Sequence, residues 1–79
     1  MQQTRDRQEL DKVVSILRAA SKGAKKTELR HRCNLPAPLF GRYLSALTEL
    51  NLLEPKKSGE LHYQTTEKGL ELLHTYHKL

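Results

Sequence analysis

Cysteine is almost absent from this chain: Cys33 stands alone among 79 residues, which excludes an internal disulfide. Long apolar runs are missing too. None approaches the roughly 18 residues of a membrane span or the roughly 7 to 15 of a secretory signal core, so the expectation is a soluble, cytoplasmic protein with no membrane partner. No repeat, low-complexity tract or linker interrupts the chain, which is read as one domain over residues 1–79. Chemical vocabulary is equally thin. His31 and Cys33 lie two apart on a helical segment and so point in different directions, while His74 and His77 are spaced i, i+3 with no cysteine or carboxylate to complete a metal site. No nucleophile and base, glycine-rich phosphate loop or pair of buried carboxylates can be assembled. The expectation is a protein that is not an enzyme and holds no metal or cofactor.

Acidic residues are scarce where basic ones are dense. The net charge is +5, and residues 1–33 carry nine Lys/Arg against four Asp/Glu, whereas residues 34–79 carry five of each. Between Arg18 and Arg32, six basic side chains face only Glu28. Such a patch draws phosphate polyanions by Coulomb attraction and counterion release; a solvated basic surface is its plainer use. The apolar share of 37% is low for a globular chain but falls in periodic clusters, which marks a folded protein. A chain this short buries a modest fraction of its surface, so good helix packing or a partner subunit has to support it.

The clusters define the elements. Leu10, Val13, Val14, Leu17 and Ala20 fall on one face of a first helix, capped at Thr4 or Asp6 and ended by Gly23. Thr27 is suited to cap a short second helix over residues 28–33, with Leu29 and Cys33 turned inward. Asn34-Leu35-Pro36 breaks it, and a third helix restarts near Ala37 or Pro38, where proline costs little. That helix runs to about Leu50, with Phe40, Tyr43, Leu44, Leu47 and Leu50 buried, and Asn51 can take the left-handed cap conformation. The alternation Leu61, Tyr63, Thr65 after Lys57-Ser58-Gly59-Glu60 reads as a β-hairpin whose first strand, holding Pro55, is short and at an edge. Thr66 caps a last helix.

Two helices joined by a tight turn, the second long and amphipathic, are the parts of a helix-turn-helix, here over about residues 27–50. A hairpin over about 52–65 makes it winged, and a helix over about 66–79 completes an α+β, mostly helical fold. Lys26-Thr27-Glu28-Leu29, Asn34-Leu35-Pro36 before Tyr43-Leu44-Ser45-Ala46-Leu47, Leu50-Asn51-Leu52-Leu53, and Tyr63-Gln64-Thr65-Thr66-Glu67-Lys68-Gly69 together resemble the small archaeal winged-helix proteins related to MarR-type and PadR-type regulators. Two positions depart from the pattern: Pro36 stands where the family usually has a Ser or Thr cap, and Asn51 where it usually has Gly.

The resemblance implies a double-stranded DNA-binding protein, a transcriptional regulator acting as a homodimer with its third helix in the major groove. It places the start of that helix at Ala37, with Pro38, Gly41, Arg42 and Ser45 outward. Arg42 is the one long basic side chain on that face, suited to a guanine, a phosphate or plain solvent. Gly41 costs the helix about 1 kcal/mol, which points to a close approach by DNA backbone or by helix two. Lys25, Lys26, Thr27 and Arg30 surround the start of helix two, where amide groups favour a phosphate. Lys56, Lys57 and Ser58 form the wing tip and reach for backbone phosphates. In the last helix Leu70, Leu73 and His77 make one stripe and Leu72, Tyr76 and Leu79 another. The family pattern turns Leu72 and Tyr76 inward, so the homodimer contact is expected at Leu70, Leu73, His74 and His77, aided by an exposed flank of helix one near Ile16. A winged-helix protein-interaction module and a sequence-neutral, chromatin-like DNA binder are the competing uses of the same fold.

Overall fold

The helical spacing of Leu10 through Ala20 is realised in α1, Gln2–Ala19, of the computed structural model, which describes residues 2–78 and the side chains of residues 9–57 and 59–76. Gln2, Gln3 and Arg5 are good helix formers, so α1 starts ahead of Thr4 and Asp6 and neither is its cap; their side chains lie outside the described residues. A short turn follows, and Gly23 closes it at φ +89°, donating its N–H to the Ala20 carbonyl at 3.0 Å. Ile16 corrects the sequence reading. It is fully buried, because α1 packs against α2, β3 and α4 and is covered on more than the one face its leucines define.

The next segment holds an element that its two-residue length hid from the sequence. Ala24–Lys25 forms β1, paired antiparallel with Tyr63 and His62. The chain passes directly from this strand into α2, Lys26–Cys33, so Lys25 and not Thr27 is the N-cap residue. The Lys25 N–H is met by the Glu28 carboxylate at 2.9 Å, the half of a capping box that a lysine allows. Asn34 ends α2 in the left-handed conformation, φ 55°, and Pro36 precedes α3, Ala37–Glu49, with Pro38 in its first turn. Phe40, Leu44 and Leu47 are buried as their spacing requires. Leu50 is not: it is 56% exposed, because Asn51 reverses the chain at φ 63° and Leu53, 2% exposed, enters the core instead.

Strands β2, Leu53–Ser58, and β3, Glu60–Thr65, pair antiparallel around Gly59, and the sheet order is β1-β3-β2. Pro55 therefore sits on an edge strand as expected, although that strand has six residues and is not short. Thr66 does cap α4, Glu67–Lys78, its hydroxyl accepting the Gly69 N–H at 3.1 Å. Leu73 is a further correction. It is 9% exposed and belongs to the core, so the stripe assigned to a partner is split: Leu70 is 44% exposed and His74 is exposed, while the side chains of His77 and Leu79 lie outside the described residues. Leu72 and Tyr76 are half-buried against the core, and the Tyr76 hydroxyl donates to Asp11 at 2.6 Å. None of the described helices is long and apolar enough to cross a membrane.

Two helical glycines have opposite surroundings. A Cβ at Gly69 would meet Thr65 Cγ2 at 2.5 Å and the Leu52 carbonyl oxygen at 2.6 Å, whereas one at Gly41 would meet nothing within 4 Å. Gly69→Ala is expected to destabilise by about 1–3 kcal/mol, since backbone must move to admit the methyl. Gly41→Ala should stabilise by up to about 1 kcal/mol. Thermal denaturation followed by circular dichroism checks both; equal melting temperatures would rule out the close approach of α4 to Leu52.

Candidate nucleic-acid interface

Helix α3 turns Phe40, Leu44 and Leu47 inward, so at 100° per residue the opposite arc holds Pro38, Arg42, Ser45 and Glu49, all exposed. Ala37 opens the helix and is exposed as well. Arg42 makes no ion pair among the described residues, which leaves its guanidinium available to a ligand. Gly41 and Thr48 flank this arc on the side facing the hairpin. There Gly41, Ser45 and Thr48 line an open groove of about 450 Å³ whose other walls are Lys26 of α2 and Pro55 and Tyr63 of the hairpin. The empty space beside Gly41 decides one point the spacing left open: helix α2 is not what approaches it. Thr48 and Tyr63 were missed as lining residues, although Thr48 lies three residues after Ser45 and so shares its side of the helix.

In the wing, strand periodicity separates residues that look alike in sequence. Successive side chains of a strand point to opposite faces, and directly paired residues share a face. Leu53, Pro55 and Lys57 of β2 thus share one face with Leu61, Tyr63 and Thr65 of β3 and Ala24 of β1. That face carries the buried Leu53, Ala24 and Thr65 and runs outward past the groove, so Lys57 and the exposed Leu61 stand on the α3 side of the hairpin. The outer face holds Glu54 and Lys56 of β2, Glu60 and His62 of β3, and Lys25. Lys56 lies 3.8 Å from Glu54 there, whereas Lys57 makes no ion pair among the described residues. The two lysines are strand residues rather than a joint tip; the turn itself is at Gly59, and the Ser58 side chain lies outside the described residues. A strict period-2 reading of Leu53 to Lys57 would have separated them.

Around the start of α2 the expected phosphate position is already furnished with carboxylates. Glu28 holds the Lys25 N–H, and Glu60 holds the Lys25 ammonium at 2.9 Å. The hydrogen bond between Lys25 and Glu60, reinforced by their charges, holds the lysine above and the carboxyl below its usual range. Lys26 and Arg30 are exposed, and Thr27 lies with Glu28, His31 and Arg32 along a separate shallow depression of about 360 Å³. Cys33 is half-buried, and burial pushes its thiol up, away from thiolate chemistry. Among the described residues no three His, Cys, Asp or Glu side chains gather as a metal ion would require. The structure thus brings Lys26, Gly41 and Ser45 into one groove, sets Arg42 and Lys57 at its margins, and leaves Thr27 and Lys56 on other faces.

Comparison with known proteins places this geometry. A family model described as a winged helix-turn-helix matches residues 5–79. No curated protein matches the chain.

Proposed function

Because the chain belongs to the winged helix-turn-helix family, we propose that it binds double-stranded DNA, with α3 in the major groove and the α3-facing side of the hairpin against the flanking backbone. The observation that carries this reading is the groove shared by Lys26, Gly41, Ser45 and the hairpin base, bordered by Arg42 and Lys57, which make no ion pair among the described residues. Lys26, Arg30 and Lys57 supply phosphate contacts, Arg42 and Ser45 the base contacts, and Gly41 room for the DNA backbone. The finer reading is a transcriptional regulator akin to the MarR and PadR types, working without catalysis and as a homodimer. Its subunit contact uses Leu70 and His74 on the exposed margin of α4, which would set the two recognition helices about 34 Å apart, one turn of DNA.

Titration of random and operator-like duplexes by fluorescence anisotropy, at two salt concentrations, tests the DNA reading. Replacing Lys26 and Arg30 by Ala should weaken all duplexes alike and reduce the log–log salt slope by about 0.9 for each phosphate no longer neutralised. Arg42→Ala should instead cost roughly 1–3 kcal/mol of discrimination at one base pair. Salt-independent binding, or none, rejects the proposal, and a uniform loss for Arg42→Ala makes that residue a phosphate contact.

The wing lysines should differ. Lys57→Glu is expected to lower affinity much more than Lys56→Glu, with both melting temperatures close to wild type, because neither side chain lies in the core. Equal losses would show that the hairpin meets DNA edge-on.

For the assembly, sedimentation equilibrium of wild type and Leu70→Glu is the measurement; Leu73 is left intact because it is a core residue. A dimeric wild type and a monomeric, still folded variant are expected. A monomeric wild type, or a variant that stays dimeric, removes α4 as the contact.

A further inference from the structure

Resting on that DNA-binding reading, we infer that Glu60 is a built-in competitor for phosphate at the start of α2: it occupies the Lys25 ammonium, next to Lys26 of the groove, and lowers the affinity of that end of the domain for DNA. Lys25 belongs to the densest basic stretch of the sequence, between Arg18 and Arg32, and it is the residue at which β1 becomes α2. Both of its donor groups, the backbone N–H and the ammonium, are engaged by acids. Its backbone N–H goes to Glu28 at 2.9 Å, and its Nζ lies 2.9 Å from Glu60 Oε1.

The sheet register makes the second contact a property of the fold. Lys25 pairs with His62, and Glu60 lies two residues before His62 on the same face of β3, the diagonal neighbour that a long side chain reaches. Glu60 is also the first residue after the Gly59 turn, so an acid stands at the wing tip, the part of the hairpin farthest from the core. Lys25 and Glu60, with side chains 56% and 72% exposed, stand on the outer face of the sheet, but Lys25 directly precedes Lys26 of the groove, so a phosphate beside Lys26 has access to the Lys25 ammonium.

A duplex phosphate reaches Lys25 only by displacing the Glu60 carboxylate, and the displaced carboxylate then remains near the phosphate and repels it. In the resting protein Lys25 therefore adds little to affinity, and phosphate binding falls to Lys26, Arg30 and Lys57. The second outer-face pair, Lys56 with Glu54 at 3.8 Å, is looser and supplies a matched control.

The test is an anisotropy titration of one random-sequence duplex at two salt concentrations with wild type, Glu60→Gln, Lys25→Met, the double variant and Glu54→Gln. Circular dichroism melts establish that each is folded. Glu60→Gln should bind about two- to fivefold more tightly, the size of effect an exposed ion pair supports. Its salt slope should steepen by about 0.9 for the added contact. Lys25→Met should leave wild-type affinity nearly unchanged, and the double variant should return to the wild-type value. If wild type binds and Glu60→Gln binds no more tightly, the inference fails while the DNA reading stands. A gain that persists in the Lys25→Met background, or that Glu54→Gln matches, also overturns it, because removal of any acid would then suffice. If neither wild type nor Glu60→Gln binds the duplex, the DNA reading and this inference fall together.

Discussion

The orientation of α3 against α4 depends on how the carbonyl groups at and just past its end are satisfied. A helix end leaves its last carbonyls without partners inside the helix; here the N–H groups of Leu50, Leu52 and Asn51 meet the carbonyls of Ala46, Leu47 and Thr48, and the first turn of α4 meets those of the turn that follows. Lys68 Nζ donates to the Leu50 carbonyl at 3.2 Å, the Thr66 hydroxyl to that of Asn51 at 2.6 Å, and the Thr66 N–H to that of Leu52 at 3.0 Å. The same Thr66 hydroxyl accepts the Gly69 N–H, so one side chain holds the turn after α3 and opens α4. Gly69 completes the joint by lacking a Cβ where Leu52 and Thr65 crowd the helix. The helix proposed to read DNA and the helix proposed to join subunits thus form one hydrogen-bonded corner, and neither can tilt without breaking it.

A second tether sets the hairpin. Thr65 is buried, and its hydroxyl donates to the Leu17 carbonyl at 2.6 Å while its N–H donates to that of Ala20 at 3.0 Å. Leu17 lies in the last turn of α1, where carbonyls run out of partners inside the helix, and Ala20 just past it, where its carbonyl also accepts the Gly23 N–H. The hairpin is therefore rooted in the core at Leu53 and Thr65 and exposed from Glu54 to Lys57 on β2. That division suits a wing: the base holds its angle against α3, and the outer half presents charge.

The distribution of that charge is more selective than its sum. The +5 excess of residues 1–33 suggests a broad phosphate surface, yet Lys25 is engaged by Glu60 and Lys56 lies beside Glu54. Lys26, Arg42 and Lys57 remain without acidic partners among the described residues, and they surround the groove between α3 and the hairpin. Glu49 lines the same groove, so the interface is not uniformly positive. A repulsive carboxylate among attractive cations favours particular contacts over indiscriminate attachment to any polyanion.

Local chemistry alone was sufficient for the order of the four helices and the hairpin, because it rests on periodicity and backbone preference. Phe40, Leu44 and Leu47 announce the buried face of α3, Pro36 and Pro38 its start, Asn51 its end, and Thr66 the cap of α4. The winged helix-turn-helix architecture followed from that order. Tertiary structure decided whatever depended on partners distant in sequence. Ile16 and Leu73 are buried because other elements cover them, and Leu50 is exposed because Leu53 takes its place. Two residues, Ala24 and Lys25, form a strand only because β3 lies beside them, and this displaced the N-cap from Thr27 to Lys25. Glu60 reaches Lys25 across 35 positions of sequence, and only the strand register brings them to 2.9 Å. Side-chain type and spacing determine what a segment can become, whereas which of its charges stay available to a ligand is settled by the neighbours that folding supplies.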